Sequence, residues 1–169
     1  DSVRVGSVAR YNYGFVRECC VSGHVNGKAR SGGLIGVNEG IVYDSTAAAK
    51  VSCVEICGGL VGINKNGSII HCTATTDCIV SAERYPGGIA GVNEHGCISH
   101  CGTAATIQNQ EDTVSAGALL GLNRKNFGRS EVKFSYGLSS DFLIGTNLCE
   151  DNTVSNCYHL KGRLIRDNH

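Results

Sequence analysis

The sequence is short of charge: Asp, Glu, Lys and Arg make up 18% of its 169 residues and cancel to a formal net charge of zero. That removes the basic field by which nucleic-acid binders and polybasic membrane binders hold anionic partners. No stretch approaches the 18 or so apolar residues of a membrane span, and nothing near Asp1 has the charged-then-apolar order of a secretion signal. No nucleic-acid partner and no direct membrane insertion are expected. Methionine is absent, so a chain starting at Asp1 reads as processed, or as a segment of a larger protein. Proline occurs once without a Gly-X-Y period, which excludes collagen, and Val and Ile are too plentiful for a disordered chain. No Cys-x-x-Cys pair occurs, so a zinc ribbon or thioredoxin-type motif has no support.

What is abundant is glycine, at about twice its usual share of roughly 7%, and it falls in a repeat. Gly32-Gly33-Leu34-Ile35-Gly36-Val37-Asn38 is written again as Gly58 to Asn64 and as Gly87 to Asn93. Looser copies end at Asn12, Asn123 and Asn147, so six asparagines mark six repeats at intervals of 26, 26, 29, 30 and 24 residues. A second anchor follows each Asn, an apolar residue three before a small one: Val16/Cys19, Val42/Ser45, Ile69/Cys72, Ile98/Cys101, Val132/Ser135 and Val154/Cys157. From there, steps of two give small or apolar residues, as in Ser45, Ala47, Ala49, Val51 and in Cys72, Ala74, Thr76, Cys78.

Period-two alternation marks a strand with one buried face, and a repeat of this length with Gly/Asn turns is one coil of a solenoid. The chain is therefore expected to be all-β, a right-handed parallel β-solenoid of about six coils, with equivalent residues stacked about 4.8 Å apart. The whole chain, 1–169, is one domain with repeats near 6–31, 32–57, 58–86, 87–115, 116–141 and 142–160. Residues 161–169 read as a tail too polar to continue the column, covering the last coil. The column Asn12, Asn38, Asn64, Asn93, Asn123 and Asn147 is expected to be structural, at a corner where Asn tolerates left-handed backbone and stacked amides bond between coils. One position on, Glu39, Lys65, Glu94 and Arg124 alternate in sign, which suits cross-coil pairing.

Gly58 to Asn64 with Gly67, Ile69 and Cys72, and Val154 to Tyr158, carry a pattern that resembles the GLUG repeat. The resemblance extends over nearly the whole chain. It implies an extracellular or cell-surface β-solenoid module, of the kind found in bacterial adhesin-like proteins and in non-catalytic regions of some immunoglobulin A peptidases. It carries no catalytic residue. The first repeat departs from the pattern at Arg10, the fifth inserts Lys125-Asn126-Phe127, and the sixth lacks the glycine pair.

Of ten cysteines, Cys19, Cys72, Cys101, Cys157 and Cys78 fall on the inward register, where a thiol serves as a small apolar side chain. Cys53 with Cys57 is the favoured local bridge. One outward column, Glu18, Asp44, His71 and His100, stands immediately before the small anchors and is the candidate ligand-binding column. Two imidazoles and a carboxylate there offer metal or polar-ligand chemistry, against the plainer reading of an exposed turn column, and no metal or other cofactor is expected. His71 is not expected to reach Cys72, since neighbours on a strand face opposite ways. A regular Thr array for ice binding and the carboxylate cluster of β-helix polysaccharide lyases and hydrolases are both missing.

The expected function is therefore non-catalytic: adhesion to a host protein, immunoglobulin among them, or to a glycan. Strand faces or the loops at 83–86, 108–112 and 124–129 would supply the contact. The alternative is an accessory spacer of a secreted peptidase or glycan-degrading enzyme. Open solenoid ends also allow end-to-end or intramolecular packing.

Overall fold

The computed structural model describes residues 4–109, 115–124, 130–138, 142–149, 154–160 and 163–168, and in these every regular element is a β-strand. A central coil shows the plan. Arg30–Gly32, Ile35–Asn38, Ile41–Tyr43 and Thr46–Ser52 follow one another through short turns, and each pairs in parallel with its counterpart one repeat away. Four parallel sheets result, one for each side of the coil. The chain is thus a parallel β-solenoid, and six copies of the Asn position delimit about five full turns, slightly fewer than the six coils expected.

Register is set by identical residues meeting across coils. Asn12, Asn38, Asn64, Asn93, Asn123 and Asn147 are consecutive partners in the second sheet. Each Nδ2 donates to the next Oδ1, at 2.8, 2.8, 2.8, 3.0 and 2.9 Å. The same amides donate to their own turn carbonyls, Asn64 to Gly67 and Asn93 to Gly96, both at 3.0 Å. One buried side chain thereby satisfies both the turn below it and the coil beside it. These asparagines are not left-handed, contrary to the expectation; they sit at or near strand ends, where extended backbone is what aligns the amides. Just outside, Lys65 lies 3.9 Å from Glu39, and Arg124 lies 2.8 Å from Glu94.

Inside, apolar columns fill the rod. Leu34, Leu60, Ile89, Leu119 and Leu143 are fully buried, as are Val42, Ile69, Ile98 and Val132 on the facing side. Truncating such a side chain typically costs about 2 to 5 kcal/mol, and Leu60→Ala is expected to lower a urea midpoint accordingly.

The period-two reading fails at two places. Gly23 is exposed at φ +97°, and Thr76 is exposed because Thr76 and Asp77 form a two-residue turn inserted between Thr73–Ala74 and Ile79–Ala82. Cys78 then takes the inward place held by Ala49 and Ala105 in the neighbouring coils.

Two further expectations are corrected. Tyr85 and Pro86 are not loop: Tyr85–Gly87 is the fourth strand of the first sheet, paired with Ile56–Gly58. Arg163–Asn168 does continue the column, pairing with Phe142–Asn147 so that Asn168 aligns with Asn147. Parallel pairing needs only strand-shaped backbone, and the open edge of Phe142–Asn147 presents amide and carbonyl groups for a seventh strand to satisfy. Residues 110–112 and 125–129 of the expected binding loops, the Lys125-Asn126-Phe127 insertion, and Lys161 and Gly162 lie outside the described residues.

Candidate functional site

Each coil passes from the third sheet to the fourth through a single left-handed residue followed by Ser or Cys. Glu18, Asp44, His71, His100, Phe134 and Asn156 have φ between 46° and 54°. The following Ser or Cys donates across that residue to the carbonyl two positions back. Ser45 bonds Tyr43 at 2.9 Å, Cys72 bonds Ile70 at 3.3 Å, Cys101 bonds Ser99 at 3.2 Å, and Ser135 bonds Lys133 at 2.8 Å. Cys19 and Cys157 do the same with Arg17 and Ser155. This explains why only Ser and Cys occupy the column: the position requires a small side chain carrying a hydrogen-bond donor. A reading of the cysteines as small apolar residues alone misses half of that requirement.

The left-handed residue is thereby pushed outward, and its side chain meets its own copies on adjacent coils. The structure places Glu18, Asp44, His71 and His100 in one exposed column and brings the two histidines together, ring centroids 4.8 Å apart and tilted by 20°. Phe134 continues the stack at 4.9 Å from His100. In the other direction the edge of Tyr43 meets His71 at 5.6 Å, and Phe15 lies 6.4 Å beyond Tyr43. A continuous ladder of five rings therefore crosses five coils on the outside of the rod.

Phe15 and Phe134 are 57% and 50% exposed, a waste of apolar surface if the ladder served only folding. Tyr136 and Tyr158, two positions beyond the left-handed residue on the last two coils, extend the aromatic surface sideways, and the Tyr136 ring leans back over Gly102.

The imidazoles stack face to face instead of converging their nitrogens, and among the described residues no group of three or more His, Cys, Asp or Glu is placed to hold a metal ion. Phe134 and Asn156 obey the same rule as Glu18, Asp44, His71 and His100, one residue before the small anchor, so that signal was present in the sequence. Tyr43 and Phe15 stand one and three positions before the left-handed residue, and only the packing between coils joins them to the ladder.

Cys53 and Cys57 are joined, with Cα atoms 6.1 Å apart, and Cys19, Cys20, Cys72, Cys78, Cys97, Cys101, Cys149 and Cys157 stand outside disulfides. Burial pushes the Cys101 thiol well up, and its hydrogen bond to Cys72 holds the Cys72 thiol below the ordinary range. Burial raises Cys78 from 9.0 to about 12, against a weaker pull from the Ala49 backbone. The unfolded chain ionises Cys78 where the folded chain resists, so its contribution is fully present below pH 9.0 and is lost as the pH rises toward about 12. The urea midpoint is expected to fall across that window, and Cys78→Ala, which copies Ala49 and Ala105, to weaken the fall. Alkylation of the native chain followed by mass spectrometry should mark the exposed Cys20 and leave the buried Cys72, Cys78 and Cys101 untouched until denaturant is added.

Compared with known proteins, the chain matches no family model, no curated protein and no solved structure.

Proposed function

We propose that the chain is a non-catalytic binding module of a bacterial surface or secreted protein, and that it holds a glycan, or a glycan-bearing host protein, against the ring ladder. The observation that carries this reading is Phe134. A phenylalanine in left-handed backbone costs about 1 to 2 kcal/mol relative to glycine, and Phe134 offsets part of that only through its stack on His100, while half of the residue faces solvent. A strained, exposed aromatic has a rationale in contact with something outside the chain.

Flat rings on a rigid face suit the C–H faces of sugar rings, and coil spacing of about 4.8 Å repeats the platform along an extended chain. The likeness to GLUG repeats supports the surface or secreted setting. Rigid presentation also fits the role, because the ladder rests on strands and turns that are fixed on both sides by neighbouring coils.

The test is binding of the immobilised chain to a panel of mucin glycans, bacterial polysaccharides and immunoglobulins, with released product monitored alongside. Saturable binding without turnover is expected. Turnover by the chain alone, abolished by replacing His71 and His100 together, would assign it instead to the enzymes.

A further inference from the structure

A second feature lies between the first and second sheets, away from the ring ladder. On the first sheet one column reads Arg4, Arg30, Ile56, Tyr85 from coil to coil. Facing it on the second sheet is the column Tyr11, Val37, Ile63, Val92, Leu122. In the later coils the two columns close on one another, and Ile56 and Tyr85 pack with Val37, Ile63, Val92 and Leu122 into a small apolar cluster. In the first two coils arginines replace Ile56 and Tyr85, and beside them a cavity of about 310 Å³ runs along the rod past Ile63 and Lys65 to Glu94 and Arg124.

Two guanidiniums in register on adjacent parallel strands repel each other. The nearby Lys65 and Arg124 have Glu39 and Glu94 as partners. Arg30 has no carboxylate within ion-pair distance among the described residues, and its Nε, like that of Arg124, is buried without a hydrogen-bond partner. The Arg4 guanidinium sits 5.4 Å from the Tyr11 ring, which supplies no anion. A bound anion would supply the charge partner that the two guanidiniums lack, and the planar fork of arginine matches a carboxylate with two parallel bonds.

We propose that this cleft is a binding site for a carboxylate-bearing sugar ring. Arg30 and Arg4 take the carboxylate, Tyr11, Val37 and Ile63 meet the apolar face of the ring, and the Glu39 carboxylate accepts bonds from its hydroxyls. The cavity is at the lower end of the range for small-molecule sites, roughly 300 to 1,000 Å³, which fits one such ring. The site is independent of the ring ladder and stands whether or not the ladder binds.

The experiment is a titration of the full chain followed by the Arg Nε–H and Tyr11 ring resonances, with glucuronate, glucose and acetate as separate ligands. Glucuronate is expected to shift Arg30 and Tyr11 saturably, glucose to leave Arg30 in place, and acetate to bind about tenfold more weakly for want of the ring contacts. Arg30→Gln should weaken glucuronate about tenfold, with the wild-type titration standing as the test if that variant does not fold. The proposal is overturned if glucuronate leaves Arg30 and Tyr11 unmoved, or if acetate matches it, which would make the cleft a plain anion site.

Discussion

Asn64→Ala is expected to lower the stability of the chain by about 3 kcal/mol, and Asn12→Ala by only about 1 kcal/mol. Asn64 sits mid-ladder, fully buried, accepting from Asn38 and donating to Asn93 and to the Gly67 carbonyl. Alanine removes these bonds and strands the Asn93 oxygen away from water, where an orphaned polar group costs about 1 to 3 kcal/mol, while the Gly67 carbonyl keeps its bond from the Cys97 N–H. Asn12 belongs to the outermost rung and has a neighbour on one side only, through its bond to Asn38. In a solenoid, stability is close to a sum of coil terms and nearest-neighbour terms, so position within the stack matters as much as residue type. Urea denaturation of the two variants measures the difference. Equal losses below about 0.5 kcal/mol, the scatter of ordinary surface changes, would mean that the amides do not tie the coils together.

Gly59→Ala is expected to be at least as damaging, for a steric reason. A methyl group there would overlap the Gly88 carbonyl oxygen of the next coil and stand 2.8 Å from the Cys78 sulfur. The obstacle is backbone, which can yield only if two coils move apart and their ladder bonds lengthen. Overpacking against side chains already costs about 1 to 3 kcal/mol, and here the whole chain past the seam must shift. Gly33 and Gly88 face the carbonyls of Gly59 and Ala118 in the same way, and Gly33→Ala and Gly88→Ala should share the defect. The fifth repeat already carries Ala118 in this column, so Ala118→Gly is expected to be nearly neutral. The check is the melting temperature of the four variants, with the three glycine changes expected to drop together and Ala118→Gly to stay near wild type.

The coil architecture was legible because solenoid registers copy themselves: once Asn38, Asn64 and Asn93 are seen to repeat, their pairing follows from stacking. The charge alternation of Glu39, Lys65, Glu94 and Arg124 could be read for the same reason. Local backbone was harder. Asn tolerates left-handed geometry in general, and that prior pointed at the wrong column; the left-handed place went to His71, His100 and Phe134, because an outward turn closed by Ser or Cys needs it there. The tail misled through its polarity, since Arg163–Asn168 joins the second sheet through its backbone.

The ring ladder was half legible. His71 and His100 share a repeat position, whereas Phe15 and Tyr43 reach the ladder from other positions through lateral contact. Nothing in the repeat signals the cleft, because the approach of Arg4 and Arg30 to Tyr11 and Val37 depends on how one sheet folds back on the next.

The measurement that tests the binding role most directly is Phe134→Gly, followed by both affinity and stability in the same preparation. Glycine relieves the left-handed strain and forfeits the stack on His100, worth about 0.5 to 1.5 kcal/mol, so the unfolding free energy from urea titration should stay within about 1 kcal/mol of wild type. Affinity for the glycan selected from the panel should fall about tenfold or more. If affinity is unchanged while the stack is gone, the ladder is not the binding surface.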